Sequence, residues 1–188
     1  MAEVVFFHHV QGLTPGIVAF ADELRAAGHT VHTPDLFEGQ TFASIEDGIA
    51  YVRAQPEGAL DERADKAVAS LPAEVVLGGT SFGAGQAQRL ASTSTAAGIL
   101  LESFVGPEWI QPWPEGVPAQ VHGMDADPFF AEEGDLDAAR AVASTRSDIE
   151  VFTYPGNVHL FTDSSLAAYD ADAMGVVTSR VLELLARL

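Results

Sequence analysis

The residues best suited to chemistry are a serine set among glycines, a pair of aspartates and a late histidine. The stretch VVLGGTSFGAGQA, residues 75–87, opens with apolar β-formers, passes through glycines and continues as small helix-formers. At its centre Gly79-Thr80-Ser81-Phe82-Gly83 places one hydroxyl between a strand pattern and a helix pattern. A nucleophilic serine in that position needs a strained backbone, so that its hydroxyl leaves the turn and enters a site. Glycines two residues to either side let strand and helix pass closely. The helix N-terminus then offers the Phe82 N–H to a developing oxyanion. Two other readings compete. A phosphate-binding loop would need a Gly-Lys-Ser/Thr sequence, which the chain lacks here. An ordinary loop serine is the other, because the five-residue pattern alone is common by chance; the strand-to-helix context favours the nucleophile.

Downstream of Ser81 stand two histidines, His122 and His159. In a serine–acid–histidine order the base comes last. His122 lies within an apolar run and precedes the acidic candidates, whereas His159 follows VFTYPGNV, just after the last strand pattern. His159 is therefore the expected base. Asp125 and Asp127, in VHGMDADPFF, both follow a strand pattern. One is expected to orient His159, and the other to cap a turn.

These positions require a scaffold that brings distant loops together. Strand-like runs occur at 3–10, 29–36, 74–80, 96–103, 118–124 and 149–156. Several are continuously apolar, as in strands covered on both faces. Helical patterns fall between them, at 15–28, 44–55, 58–71, 82–93, 132–145 and 167–187. Such alternation predicts one α/β domain over residues 1–188, a mostly parallel twisted sheet with helices on both faces. Ligands of such sheets bind beyond the carboxyl ends of the strands. The irregular segment 104–116 lies there and carries Trp109 and Trp113. They either wall a pocket or pack over a sheet edge.

Bulk properties narrow the classes. The chain has no cysteine, which excludes disulfides, thiolate metal sites and a cysteine nucleophile. Nine basic against twenty-seven acidic side chains give a net charge of −18, unfavourable for nucleic acid or anionic membranes. No signal peptide or membrane-span pattern is evident, and a cytoplasmic location is expected. His8 and His9 are neighbours on a strand pattern and point to opposite faces, so a shared metal is not expected. His9 is expected to line the pocket and His8 to pack under the sheet.

The sequence resembles the dienelactone hydrolase family of the α/β-hydrolase superfamily over nearly its whole length. The segment HHVQGLTPGIVAFADELRAAGHTVHTPDLFEG is similar to that family's first block. GGTSFGAG resembles its nucleophile turn, GMDADPFF its acid loop and YPGNVHLF its histidine loop. The resemblance implies a single-domain α/β-hydrolase fold without a large cap domain. It matches Ser81 to the nucleophile, His159 to the base and Asp127 to the acid, with Asp125 as runner-up. It makes the Val10 and Phe82 N–H groups the oxyanion donors, with no cofactor.

Three departures accompany the resemblance. Better-known members carry cysteine at the nucleophile, where this chain has Ser81. They often hold the resting thiol with a glutamate, at a place occupied here by His9. They grip the substrate carboxylate with an arginine after the histidine, where this chain has Leu160, Phe161, Thr162 and Asp163. The expected function is hydrolysis of small carboxylic esters or lactones through an acyl-serine, by a monomer or homodimer. Neutral substrates are expected to be preferred over anionic dienelactones, Arg53 or Arg89 being the arginines that could alter this by folding into the site. The alternatives are hydrolysis of amides or thioesters, and a non-catalytic ligand-binding protein of the same fold.

Overall fold

A computed structural model describes residues 1–188. Six strands, β1 (Glu3–Phe7), β2 (Thr30–His32), β3 (Val76–Thr80), β4 (Ala97–Leu101), β5 (Ala119–Met124) and β6 (Ile149–Tyr154), form one sheet in the order β2-β1-β3-β4-β5-β6. Every neighbouring pair is parallel. Five helices lie in the connections, α1 (Pro15–Ala26), α2 (Ile45–Ala54), α3 (Ala59–Val68), α4 (Phe82–Leu90) and α5 (Asp135–Ala143), and α6 (Ala171–Leu185) follows β6. None is long and apolar enough to cross a membrane.

The unbroken apolar strands have the cause anticipated for them. Successive side chains on a strand point to opposite faces. In β1, Val5 and Phe7 join one apolar cluster, while Val4 and Phe6 join the other. In β4, Leu100 goes one way, and Ile99 and Leu101 the other. The helices α3, α4 and α5 supply Leu60, Ala87 and Leu136 to the first layer. From the opposite side α1 and α6 supply Phe20, Leu24, Val177 and Val181.

Local signals set the helix starts. The Thr14 hydroxyl accepts the Ile17 N–H and Pro15 occupies the first turn of α1. Ser44 accepts from Asp47 N–H at α2, and Asp170 accepts from Ala173 N–H at α6.

A buried polar knot fastens the end of β1 to the loop that follows β6. His9 Nε2–H donates to Asp163 Oδ2 at 2.7 Å, and His9 Nδ1 accepts the Gln11 N–H at 3.1 Å. Thr14 also donates to Asp163, as do the backbone N–H and hydroxyl of Ser165. His9 and Asp163 are both fully buried, so the expectation for His9 is corrected. His9 does not line a pocket, and Asp163 does not face a substrate. The chain leaves the strand after Phe7 and turns His9 inward, where a carboxylate waits.

Burial works against the charge on Asp163. The bonds from His9, Ser165 and Thr14 outweigh it and hold its pKa down to about 2. The folded pKa lies below the ordinary 3.8, so this stabilisation is fully present above that value and is lost as pH falls toward 2. Asp163→Ala is expected to cost about 3 kcal/mol at pH 7, because it strands His9 and Thr14 without an acceptor. Urea unfolding at pH 7 and near pH 2.5 checks this. The gap between wild type and variant should narrow at the lower pH.

Candidate active site

All six strands run in one direction, so their carboxyl ends share one edge of the sheet. The turns after β3, β5 and β6 deliver Ser81, Asp127 and His159 to that edge.

Ser81 follows β3 and stands before the first residue of α4. Its backbone has φ 53° and ψ −117°, in the positive-φ half that a non-glycine residue seldom visits. Close packing holds it there. A Cβ on Gly79 would lie 2.3 Å from the carbonyl carbon of Gly83, and one on Gly83 would lie 2.3 Å from the Phe7 carbonyl oxygen. The Ser81 N–H donates to the Leu101 carbonyl at 2.8 Å, which fixes the turn against β4. A serine at a helix start ordinarily caps it, but the Ser81 side chain makes no capping bond.

The freed hydroxyl lies 2.9 Å from His159 Nε2, and His159 Nδ1 lies 2.7 Å from Asp127 Oδ2. Asp127 is fully buried, and its Oδ1 accepts the Phe129 N–H at 2.8 Å and the Phe130 N–H at 3.2 Å. A carboxylate only accepts, so Nδ1 carries the imidazole proton and Nε2 is free to accept from Ser81. The Phe129 ring lies against the imidazole at 4.8 Å between centroids. Asp125 lies elsewhere: it is exposed, and its Oδ1 accepts the Gly156 N–H at 3.1 Å in the neighbouring turn.

No protein acceptor takes the Val10 N–H. Phe82 opens α4 ahead of the first helical bond, from Gly85 N–H to Ser81 O, so its own N–H belongs to the unpaired first turn. The other histidines have structural partners. His8 packs edge-on to Phe37, and burial lowers its pKa to about 4. His122 bonds to the Tyr154 hydroxyl and stacks on Phe152. Burial, with Arg180 nearby, lowers its pKa to about 3.

A cavity of about 550 Å³ opens over Ser81 and His159. The segment 104–116 divides its tryptophans: Trp109 is 83% exposed and lines this cavity, while Trp113 is buried. Of the two expected roles, Trp109 takes the pocket wall, whereas Trp113 does not line the pocket and packs on the sheet. Its ring fills the space above Gly98, where a Cβ would come within 2.6 Å, and its Nε1–H donates to Val117 O.

Sequence reading missed one group. Glu102, at the end of β4, lines the same cavity and is 1% exposed. Thr162 Oγ1 donates to its Oε2 at 3.2 Å, while Oε1 has no partner. Burial, with the Asp127 charge adding, pushes its pKa up to about 7 against the opposing influence of His159, Thr162 and the Phe161 N–H. A lone acid closing the apolar run AGILLES was the available signal. For His159, burial lowers the pKa, but the Asp127 hydrogen bond and the charges of Glu102, Asp127 and Asp135 prevail and raise it.

The whole chain, residues 1–188, matches the dienelactone hydrolase family, and the protein belongs to that family of hydrolases. No curated protein sequence matches it. Among solved structures, a dienelactone hydrolase-like promiscuous phosphotriesterase from metagenomic libraries superposes with TM-score 0.77 at 22% identity, over 100% of this chain and 87% of that one. A Klebsiella pneumoniae protein provisionally named a dienelactone hydrolase gives 0.75 at 16% identity, over 100% and 88% of the two chains. Apo esterase 2 of Thermogutta terrifontis gives 0.65 at 16% identity, over 99% and 83%. At these identities the likeness establishes the α/β-hydrolase fold.

The contrast between the two aspartates is testable. Asp127→Asn is expected to lower kcat on an activated ester by about 10³-fold or more, because an amide cannot stabilise the developing imidazolium. Asp125→Asn is expected to stay within about twofold of wild type, as an exposed turn residue. Steady-state kinetics of the two variants side by side gives the answer.

Proposed function

We propose that the protein is a serine hydrolase that cleaves small neutral carboxylic esters or lactones through an acyl-serine intermediate. The observation that carries this reading is the continuous series Ser81 Oγ, His159 Nε2, His159 Nδ1, Asp127 Oδ2, with spacings of 2.9 Å and 2.7 Å at its two hydrogen bonds.

Each step has a group suited to it. Ser81 Oγ attacks the carbonyl carbon as its proton passes to His159 Nε2. The carbonyl π pair moves onto oxygen, and the Val10 and Phe82 N–H groups stabilise that charge. Asp127 balances the imidazolium and keeps the ring oriented. When the intermediate collapses, the ester oxygen leaves with the proton held at Nε2. Water then repeats the sequence on the acyl-serine, releasing the acid and restoring Ser81.

The charge around the cavity supports neutral substrates. Asp61, Glu133 and Asp135 line it with Glu102, against a single arginine, Arg89. That guanidinium is already engaged by Asp65 at 2.8 Å, the Asp61 carbonyl at 3.1 Å and Gln86 at 3.1 Å. A substrate carboxylate would meet acidic walls and compete with the protein for the one cation.

A fluorophosphonate is expected to label the protein at Ser81 alone, and Ser81→Ala is expected to lose several orders of magnitude in esterase kcat/KM. Peptide mapping of the adduct and kinetics of the variant check both; labelling at another serine would refute the assignment. Neutral p-nitrophenyl acetate is also expected to exceed an anionic dienelactone in kcat/KM. The gap should narrow as salt screens the acidic walls. Parallel rates in low and high salt test that preference.

A further inference from the structure

The active-site edge holds a second carboxyl that the mechanism above does not use. In the β3–β4 register Thr80 stands opposite Leu101, so the next residues, Ser81 and Glu102, leave the sheet side by side. Both take positive φ, 53° at Ser81 and 58° at Glu102. The Glu102 N–H donates to His122 O at 2.6 Å, and Ser81 N–H to Leu101 O at 2.8 Å, so both turns are anchored to neighbouring strands. The carboxyl then crosses to the histidine loop, where Thr162 lies three residues beyond His159 and donates to Oε2. Its second oxygen, Oε1, is buried, lacks a partner and belongs to a residue that lines the cavity.

An unpartnered buried carboxyl oxygen is costly, and a strained backbone adds to the cost. A glutamine would hold the same bond from Thr162 without a buried charge, and a leucine would fill the space. The feature that distinguishes glutamate is a proton it can release beside His159.

We propose that Glu102 is a positioning residue for His159, holding the histidine loop through Thr162 and setting, by its own protonation, the charge against which the imidazole works. The proposal rests on the serine hydrolase reading and adds a second acid to it. With Glu102 protonated, its carboxyl adds no charge beside the ring, and Asp127 remains bonded to Nδ1. With Glu102 ionised, a second negative charge favours the imidazolium formed on serine attack. The charged groups acting on Glu102 are His159 and Asp127. Asp135 on α5 acts on His159 and is held by the Ser103 hydroxyl and Phe104 N–H. Across the cavity stand Asp61, Arg89 and Glu133. The ring of His122, whose carbonyl binds Glu102, is held neutral by burial.

The signs follow from the charges. Ionised Glu102 raises the His159 pKa, so removing the charge must lower it. Glu102→Gln is therefore expected to move the acid limb of kcat/KM for p-nitrophenyl acetate to lower pH by about half a unit to one unit, while the high-pH plateau falls about 3- to 30-fold. Thr162→Val removes a bond that favours the ionised carboxyl, so Glu102 should then titrate at higher pH than in wild type.

In wild-type protein labelled with [δ-¹³C]glutamate, one carboxyl carbon should titrate near neutrality, vanish in Glu102→Gln and shift when Ser81 is phosphonylated. A Glu102→Gln acid limb superimposable on wild type, however low the plateau, would mean a structural role only and overturn the proposal. So would the absence of a near-neutral glutamate titration in wild type, which needs no variant to fold. Failure of Ser81 to react with the phosphonate would instead refute the serine reading, because the glutamate titration is measured without turnover.

Discussion

The backbone of Ser81 is the constraint on which the site depends. An L-residue at φ 53° and ψ −117° is strained, and strain of this kind costs on the order of 1–3 kcal/mol. It persists because alternatives are blocked. The Phe7 carbonyl sits where a Cβ on Gly83 would go, the Gly83 carbonyl where one on Gly79 would go, and Leu101 O holds the Ser81 N–H. Relaxing the turn would rotate the hydroxyl away from His159 and return it to the ordinary task of capping α4. The missing side chains of two glycines thus become the fixed aim of one oxygen.

Two histidine–carboxylate pairs meet this edge and do opposite work. His9–Asp163 and His159–Asp127 have the same 2.7 Å spacing. The difference lies in the second ring nitrogen. In His9 it accepts the Gln11 N–H, so both nitrogens are satisfied within the protein. In His159 it faces the Ser81 hydroxyl and an open cavity. The first pair locks the loop after His159 to the start of the chain, and through Thr14 to α1. The second keeps its free nitrogen toward Ser81 on a loop that the first holds in place.

Much of this was legible in the sequence, and the misses have physical causes. All six strands and six helices follow from apolar runs and their punctuation, but strand ends were read too long. The first was expected to reach residue 10, yet β1 stops at Phe7 because the rings of His8 and His9 seek partners off the ladder. The second was expected over 29–36, yet β2 ends at His32, two residues before Pro34, which has no N–H to give. Ser81, Asp127 and His159 were assembled from local pattern, chain order and family resemblance. The sequence misplaces His9 because its partner, Asp163, comes from a remote segment, and nothing local decides that Trp113 packs above Gly98. Glu102 stayed hidden for the same reason. AGILLES reads as a strand end, and nothing local shows that Thr162 converges on it.

Strain and desolvation are concentrated at the two residues that leave β3 and β4 next to one another. Of the non-glycine residues with positive φ, Ser81 and Glu102 line the cavity, while Leu160 falls immediately after His159. A fold stabilised by two thick apolar layers tolerates such local costs as long as they are few. Glu102 bears two of them together, a left-handed backbone and a buried carboxyl with an unmatched oxygen. Its folded pKa lies above the ordinary 4.5, so this residue favours the folded state most below that value and loses the advantage as pH rises toward 7. Asp163 has the opposite sign, its contribution disappearing only in strong acid. Near neutrality the clamp behind the histidine loop is therefore at full strength, while the carboxyl in front of it is changing charge. A rigid support within the histidine loop and a titrating group bonded to it from the end of β4 allow the charge around His159 to change without the loop coming undone.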